Sequence, residues 1–244
     1  MEDIIKIKTP DKYTIFGTLN KTAVKNNKLV IFIHGLTGNQ NEHLFFNASR
    51  FFPKNGLDVF RFNLYDGRKG TRSLVGCTVR IHAQDLNQVV KRFRNDYHSI
   101  FVIGHSLGGP TILQSNTDLV DGIVLLDPTS MPSLLDVVEG TKSSLKFIKS
   151  LNAYSFDWGT TCLLGKEMSK EFGNLNLKKL MKTVNKPIKL IFAEKGNAKY
   201  GKRFFQYANQ PKELTIIKGA THCFDEEGAE DKVFKETLSW LKRF

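Results

Sequence analysis

The sequence predicts an α/β fold with a mostly parallel central sheet and helices on both faces. Five short runs rich in Val, Ile, Leu and Phe are typical of buried parallel strands: residues 28–33, 57–62, 99–104, 121–126 and 187–192. Longer stretches with the apolar spacing of helices follow three of these runs: residues 41–52, 78–94 and 199–208. Alternating strands and helices of this kind build a doubly wound sheet.

The two ends of the chain complete the predicted sheet. Residues 4–8 and 13–19 alternate in polarity and flank the turn-prone Thr9-Pro10-Asp11-Lys12, which predicts an antiparallel hairpin at the sheet edge. Residues 213–217 are predicted as a final strand and residues 231–244 as a final helix.

The connection at residues 128–186 is longer than a crossover between parallel strands requires. Part of it is therefore expected to be an insertion, and its apolar residues suit a small helical lid over an acyl or aryl pocket. The alternative is that they pack an ordinary crossover helix. These residues are Leu134, Leu135, Phe147, Ile148, Leu151, Tyr154, Phe156 and Trp158.

Length and composition favour one domain over residues 1–244. Of the 244 residues, 41% are hydrophobic and 25% charged, which is near the average for globular proteins. The three cysteines are far apart and form no C-x-x-C pair, which argues against a zinc site or disulfide scaffold. The first eight residues lack the apolar run of a secretory signal, and no run approaches the roughly 18 to 20 apolar residues of a membrane span. We expect a cytoplasmic protein.

The net charge of +12 raises the question of nucleic-acid binding. Lysines and arginines are spread over most segments, however, and no zinc finger, RNA-recognition signature or dense basic run accompanies them. We therefore expect a solvated basic surface, no nucleic-acid partner, and at most an attraction for anionic substrates.

The strongest chemical signal is the segment Gly-His-Ser-Leu-Gly-Gly at residues 104–109, which fits G-x-S-x-G. It lies where a predicted strand ends and a helix should begin, the context in which such a turn exposes a serine hydroxyl. Ser106 is the predicted nucleophile. The alternative is a glycine-rich turn with a purely structural role.

A serine nucleophile requires a base, and His222 is the predicted one. It follows the last predicted strand, from where its loop can reach the serine at the carboxyl edge of the sheet. The side chain of His105 is expected to point away from the reacting centre, and His34 belongs to another loop. Three further histidines lie within or beside helical patterns and are expected on the surface: His43, His82 and His98.

Acyl transfer also requires two backbone N–H groups that stabilise an oxyanion. Leu107, directly after the serine, is expected to supply one. The second is expected from the glycine-containing loop at residues 34–39, with Leu36 as its donor. The alternative is that this loop is a turn and nothing more.

Three segments together resemble the α/β-hydrolase serine esterases, most closely the cinnamoyl (feruloyl) esterase-like and monoacylglycerol-lipase-like branch. They are residues 34–43, the serine turn, and Gly-Ala-Thr-His-Cys-Phe at residues 219–224. The resemblance spans nearly the whole chain and fades at residues 128–186. It implies the α/β-hydrolase fold, the chain order of serine, acid and histidine, an oxyanion donor at Leu36 and a base at His222.

The acid departs from the family pattern, because Gly196 stands where the resemblance predicts an aspartate. Two carboxylates keep the order of serine, acid and histidine. Asp127 ends the strand after the serine turn, a position from which some lipases of this fold supply their acid, and Glu194 lies about two residues early in the usual loop. We favour Asp127, with Glu194 as the alternative; either carboxylate could also be purely structural.

The residues therefore predict a serine esterase that acts on small acyl or aryl esters through an acyl-enzyme, with no cofactor and no metal. A thioesterase or lipase-like hydrolase would use the same groups. The missing family aspartate motivates a second alternative, a non-catalytic binding protein on the same fold.

Overall fold

A computed structural model describes residues 2–130, 145–158 and 160–244. Eleven strands lie in these ranges: β1 (Glu2–Lys8), β2 (Thr14–Asn20), β3 (Lys28–Ile33), β4 (Asp58–Phe62), β5 (Ser99–His105), β6 (Gly122–Leu126), β7 (Lys146–Ile148), β8 (Ala153–Asp157), β9 (Thr161–Gly165), β10 (Ile188–Ala193) and β11 (Lys212–Ile217). The same ranges contain seven α-helices: α1 (His43–Lys54), α2 (Val79–Phe93), α3 (Gly108–Gln114), α4 (Lys166–Gly173), α5 (Leu177–Thr183), α6 (Ala198–Tyr207) and α7 (Ala229–Leu241).

The central sheet has eight strands in the order β1-β2-β4-β3-β5-β6-β10-β11. The six strands from β4 to β11 in this order run parallel, whereas β2 pairs antiparallel with both β1 and β4. The predicted fold class is therefore confirmed, with the amino-terminal hairpin at one edge of the sheet.

Each face of the sheet carries its own apolar core, because successive side chains of a strand point to opposite faces. In β3, Ile31 and Ile33 pack into one core with α2 and α6, while Val30 and Phe32 pack into the other with α1 and α7. Helices thus cover both faces, as predicted. Within the described ranges, no helix is long and apolar enough to cross a membrane.

The segment predicted as a helical lid is helical only in part. Residues 131–144, including Leu134 and Leu135 of that prediction, lie outside the described residues. After them, β7, β8 and β9 form a small antiparallel sheet, followed by the short helices α4 and α5. Alternation is visible in β9, where the buried Cys162 and Leu164 are separated by the half-buried Leu163.

The parallel strands place their connecting loops at one edge of the sheet. His105 of β5 pairs with Leu126 of β6, and Leu126 pairs with Ile191 of β10. The residues that follow these strands therefore leave the sheet side by side at its carboxyl edge, where open α/β sheets bind their ligands.

Candidate active site

The turn between β5 and α3 exposes Ser106 in a left-handed backbone conformation with φ of +53°. This region is costly for a residue with a Cβ atom and persists only where the surroundings enforce it. Close packing around the turn enforces it here. A Cβ added to Gly104 would lie 2.5 Å from the Gly108 carbonyl oxygen, and a Cβ added to Gly108 would lie 2.3 Å from the Ile33 carbonyl oxygen. Gly104 and Gly108 are therefore required, because a larger residue at either position would clash with a backbone carbonyl group.

Ser106, His222 and Asp127 form a continuous chain of hydrogen bonds. The Ser106 Oγ lies 2.9 Å from His222 Nε2, and His222 Nδ1 lies 2.5 Å from Asp127 Oδ2. Since an ionised carboxylate only accepts, Nδ1 carries the proton and Nε2 presents its lone pair to the serine hydroxyl. This arrangement is able to remove the hydroxyl proton.

Asp127 is fully buried, and backbone donors hold its carboxylate. Its Oδ1 accepts from the Ala193 N–H at 3.0 Å and from the Asn197 N–H at 2.9 Å. The Asn197 side chain donates in turn to the Asp127 carbonyl oxygen at 3.1 Å. The backbone of Asp127 itself lies in the left-handed region, with φ of +40°. These bonds orient the carboxylate and satisfy its hydrogen-bonding capacity.

The other candidate carboxylate, Glu194, bonds elsewhere. Its Oε2 accepts from the Gly219 N–H at 2.8 Å, which ties the loop after β10 to the turn after β11. At the position where the resemblance predicts an aspartate, a Cβ on Gly196 would lie 2.4 Å from Asp127 Oδ2. The structure thus brings Asp127, and not Glu194, to His222.

His105 of the serine turn anchors the loop that carries His222. Its Nε2 lies 2.8 Å from the His222 carbonyl oxygen, and the two rings lie 4.8 Å apart. Burial, and next the neighbouring His222, lower the pKa of His105 to about 3. The ring is therefore neutral and donates from Nε2, which keeps it out of the reacting centre as predicted and gives it a positioning contact.

Thr129 is a second polar neighbour of the serine that the sequence did not indicate. Its Oγ1 lies 3.0 Å from Ser106 Oγ, and its N–H donates to the Ser106 carbonyl oxygen at 3.1 Å. Thr129 also borders a small recess of about 20 Å³. The recess is otherwise lined by Pro110, Leu113, Ser130, Phe172, Leu175, Leu177 and Leu180. It is therefore small and mostly apolar.

The loop after β3 lies against the serine. A Cβ on Gly35 would lie 3.0 Å from Ser106 Cβ and 3.5 Å from its Oγ. Among the described residues, neither the Leu36 N–H nor the Leu107 N–H donates to a protein acceptor. Both amides predicted as oxyanion donors thus flank Ser106 with their hydrogen-bonding capacity free.

The small β7–β9 sheet packs beside the turn through a third apolar cluster. Its buried members are Cys77, Val79, Leu107, Phe156, Cys162, Leu164, Met168 and Phe172. Leu36 and Trp158 pack against this cluster from its partly exposed rim. The insertion therefore provides an apolar wall next to both predicted oxyanion donors.

Glu42 places a titratable carboxyl group beside the same loop. Its Oε1 lies so close to Gly38 that a Cβ there would be 2.1 Å away. Burial raises the pKa of Glu42 to about 7, opposed by smaller contributions that include His222. The group is therefore partly protonated near neutral pH.

His82 corrects one expectation, because it is buried and not on the surface. It lies on the inner face of α2 with Val79, Ala83 and Leu86, and the helical spacing of these apolar residues was the signal that could have placed it. Burial lowers its pKa to about 3, with smaller contributions from His34 and Arg72. His43 and His98 are exposed, as predicted.

Comparison with protein families gives one match: residues 28–219 fit the model of the alpha/beta hydrolase fold. No curated protein matches the sequence.

Solved structures of low sequence identity share the fold. The esterase domain of a Rhodothermus marinus protein has a TM-score of 0.78 at 18% identity, with 100% of this chain and 98% of that chain covered. Est1E from Butyrivibrio proteoclasticus, with ferulic acid bound, has a TM-score of 0.81 at 17% identity, with 98% of each chain covered. The Pyrococcus furiosus esterase Pf2001 has a TM-score of 0.71 at 20% identity, with 100% of this chain and 93% of that chain covered.

Proposed function

Because the chain belongs to the α/β-hydrolase family, we propose that it is a serine hydrolase that cleaves small carboxylic esters. The observation that carries the proposal is the hydrogen-bonded chain from Ser106 Oγ through His222 to the buried Asp127 carboxylate. Each group in this chain has the partner that acyl transfer requires: a base for the hydroxyl and an acid that orients the base.

In the proposed first step, the Ser106 proton moves to His222 Nε2 while Oγ bonds to the ester carbonyl carbon. The carbonyl π pair moves onto oxygen, and the Leu36 and Leu107 N–H groups stabilise the resulting oxyanion. The oxyanion then collapses, the bond to the leaving alkoxide breaks, and that alkoxide takes the proton from His222. An acyl ester of Ser106 remains.

In the second step, water attacks the acyl carbon and gives its proton to His222. The new tetrahedral oxyanion collapses with cleavage of the bond to Ser106 Oγ, which recovers the proton. Throughout, the Asp127 carboxylate accepts from Nδ1 and stabilises the imidazolium without taking its proton.

The substrate is proposed to be an acyl or aryl ester whose acyl part is short. The recess beside Thr129 supports a small acyl group, because the recess is small and its lining is mostly apolar. The apolar rim formed by Leu36 and Trp158 offers contact surface to a larger leaving group. The proposed setting is the reducing cytoplasm, in keeping with three free cysteines.

Fluorophosphonate labelling together with para-nitrophenyl acetate hydrolysis tests the proposal. We expect the wild type to be labelled and active, and Ser106→Ala to lose both properties. Ser115→Ala, at the far end of α3, is the matched control and should keep both. Unlabelled, inactive wild-type protein would contradict the proposal and favour a non-catalytic binding protein.

The same preparation separates oxygen esters from thioesters. We expect kcat/KM for an oxygen ester to exceed that for the thioester with the same acyl group. The reverse order would reassign the proposed activity to a thioesterase that uses the same residues.

A further inference from the structure

We propose that the Tyr65 hydroxyl is a positioning group that fixes the peptide between Gly35 and Leu36, and thereby aims the Leu36 N–H at the oxyanion. The inference rests on the proposed function, since it concerns the stabilisation of an oxyanion at Ser106. The observation behind it is the set of donors that converge on one carbonyl oxygen in the loop after β3.

Three donors converge on the Gly35 carbonyl oxygen. The Tyr65 hydroxyl lies 3.2 Å from it and the His34 Nδ1 lies 2.8 Å from it. The Gly38 N–H donates to it from 3.3 Å. An oxygen held by three donors has a fixed direction, and so does the peptide plane to which it belongs.

The direction of that carbonyl sets the direction of the Leu36 N–H. A peptide group is planar and trans, so its C=O and N–H bonds point in opposite directions. With the Gly35 oxygen turned towards Tyr65 and His34, the Leu36 N–H points away from them. Gly35 itself lies against Ser106, since its Cβ position is 3.5 Å from Ser106 Oγ. The N–H is therefore aimed into the space beside the nucleophile.

Both side-chain donors hold their protons over the working pH range. His34 Nε2 accepts from the Leu64 N–H at 3.0 Å, so Nδ1 carries the ring proton. Burial lowers the pKa of His34 to about 4, which keeps the ring neutral in this tautomer. Burial, with a smaller contribution from the Glu42 carboxyl, raises the pKa of Tyr65 well above its ordinary value. Neither donor is lost by titration near neutral pH.

Tyr65 lies in a different part of the chain from the other two donors to the Gly35 oxygen. His34 and Gly38 belong to the same loop as Gly35, whereas Tyr65 follows β4 and reaches the Gly35 oxygen from outside that loop. Its ring is fixed by packing, with centroids 5.1 Å from the His34 ring and 5.8 Å from the His82 ring. The hydroxyl thus ties the loop after β3 to the neighbouring strand of the sheet.

The decisive variant is Tyr65→Phe, which removes one oxygen atom and retains the packed ring. Without the external tie the Leu36 N–H is held less well, and stabilisation of the oxyanion is weakened while substrate binding is not. We expect kcat to fall about tenfold with KM unchanged, less than the roughly 100- to 1,000-fold loss that follows removal of a whole oxyanion donor. The inhibition constant of trifluoroacetophenone, which forms a tetrahedral adduct with a serine, should rise by the same factor.

Tyr97→Phe is the matched control. The Tyr97 hydroxyl also makes a buried hydrogen bond, to Asp58 Oδ2 at 2.7 Å, at the opposite edge of the sheet. Its loss should lower the melting temperature and leave kcat, KM and the inhibition constant unchanged. Active-site titration with a fluorophosphonate counts competent molecules in each preparation, so partial unfolding cannot imitate a loss of kcat.

The outcomes separate the inference from the function beneath it. An active wild type with unchanged kcat and inhibitor affinity in Tyr65→Phe overturns the inference and leaves the proposed function intact. A loss carried wholly by KM also overturns it, because the hydroxyl would then bind substrate. A wild type that neither hydrolyses the ester nor reacts with the fluorophosphonate overturns the proposed function and the inference together.

Discussion

The carboxylate of Asp127 occupies the space that a side chain at residue 196 would need. A Cβ on Gly196 would lie 2.4 Å from Asp127 Oδ2, closer than nonbonded atoms approach. The two residues follow neighbouring strands, β6 and β10, and the Asp127 carboxylate contacts the ring of His222. A glycine at residue 196 thus leaves the space that the Asp127 carboxylate fills.

Asp127→Asn should reduce ester turnover by on the order of 10⁴-fold, because an amide cannot hold the imidazole in the required tautomer. The measurement is kcat for para-nitrophenyl acetate at neutral pH. Glu194→Gln is the matched control and should change kcat little, since Glu194 bonds to Gly219 and not to His222. Comparable losses in both variants would remove Asp127 from the proposed role.

Gly196→Ala should reduce turnover on its own, because the new methyl group displaces the Asp127 carboxylate. A displacement of about 1 Å in such a site costs up to roughly 100-fold in rate. Gly67→Ala, at a position with open space around the Cβ, should have no effect. A further double variant, Asp127→Gly with Gly196→Asp, should recover part of the activity of Asp127→Gly alone; no recovery would show that the two positions are not exchangeable.

The recess beside Thr129 should set the acyl-chain preference. Turnover should fall from para-nitrophenyl acetate to the butyrate and octanoate esters in the wild type, because the recess is too small for the longer acyl chains. Leu180→Ala should shift this preference towards the longer chains by enlarging the recess, whereas Leu151→Ala, an exposed leucine of the insertion, should not. An unchanged profile in Leu180→Ala would place the acyl group elsewhere.

His82 should make the protein sensitive to acid. Its pKa is lowered to about 3 by burial, against about 6.5 when unfolded, so protonation favours the unfolded chain. The stability that depends on the neutral ring is fully present above about pH 6.5 and decreases as the pH falls towards 3, by roughly 1.4 kcal/mol per pH unit.

Between pH 6.5 and pH 5, the free energy of unfolding of His82→Leu should therefore fall by about 2 kcal/mol less than that of the wild type. Urea unfolding at each pH measures this difference. His98→Leu, at an exposed histidine, should follow the wild-type pH dependence. Equal slopes for His82→Leu and the wild type would mean that the ring is not buried neutral.

The parts of the molecule that were predictable from sequence are those with local signatures. The continuous apolar run at Lys28–Ile33 gives a strand because both of its faces are buried. The serine turn is recognisable because Gly104 must leave room for the Gly108 carbonyl group, only four residues further along the chain. Local contacts of this kind leave a pattern in consecutive residues.

The remaining site residues depend on register between distant strands. Thr129, Asn197 and Tyr65 are ordinary polar residues in loops, and their contacts with Ser106, Asp127 and Gly35 follow only from how the strands pair. The sequence also left open whether Asp127 or Glu194 is the acid, because that too depends on how the strands pair. Both carboxylates lie near the right loop in sequence, and only the register of β6 against β10 distinguishes them.

The hydrogen bond from His105 to the His222 carbonyl joins residues 117 positions apart in the chain. The loop that carries His222 is held by His105 of β5, near the middle of the chain. The ribosome synthesises this loop long after β5. Under the proposed function, Ser106 gains its base, His222, only when the last strand and its loop have docked. A growing polypeptide of this protein is thus expected to be chemically inert towards esters, and reactivity arises together with completion of the sheet.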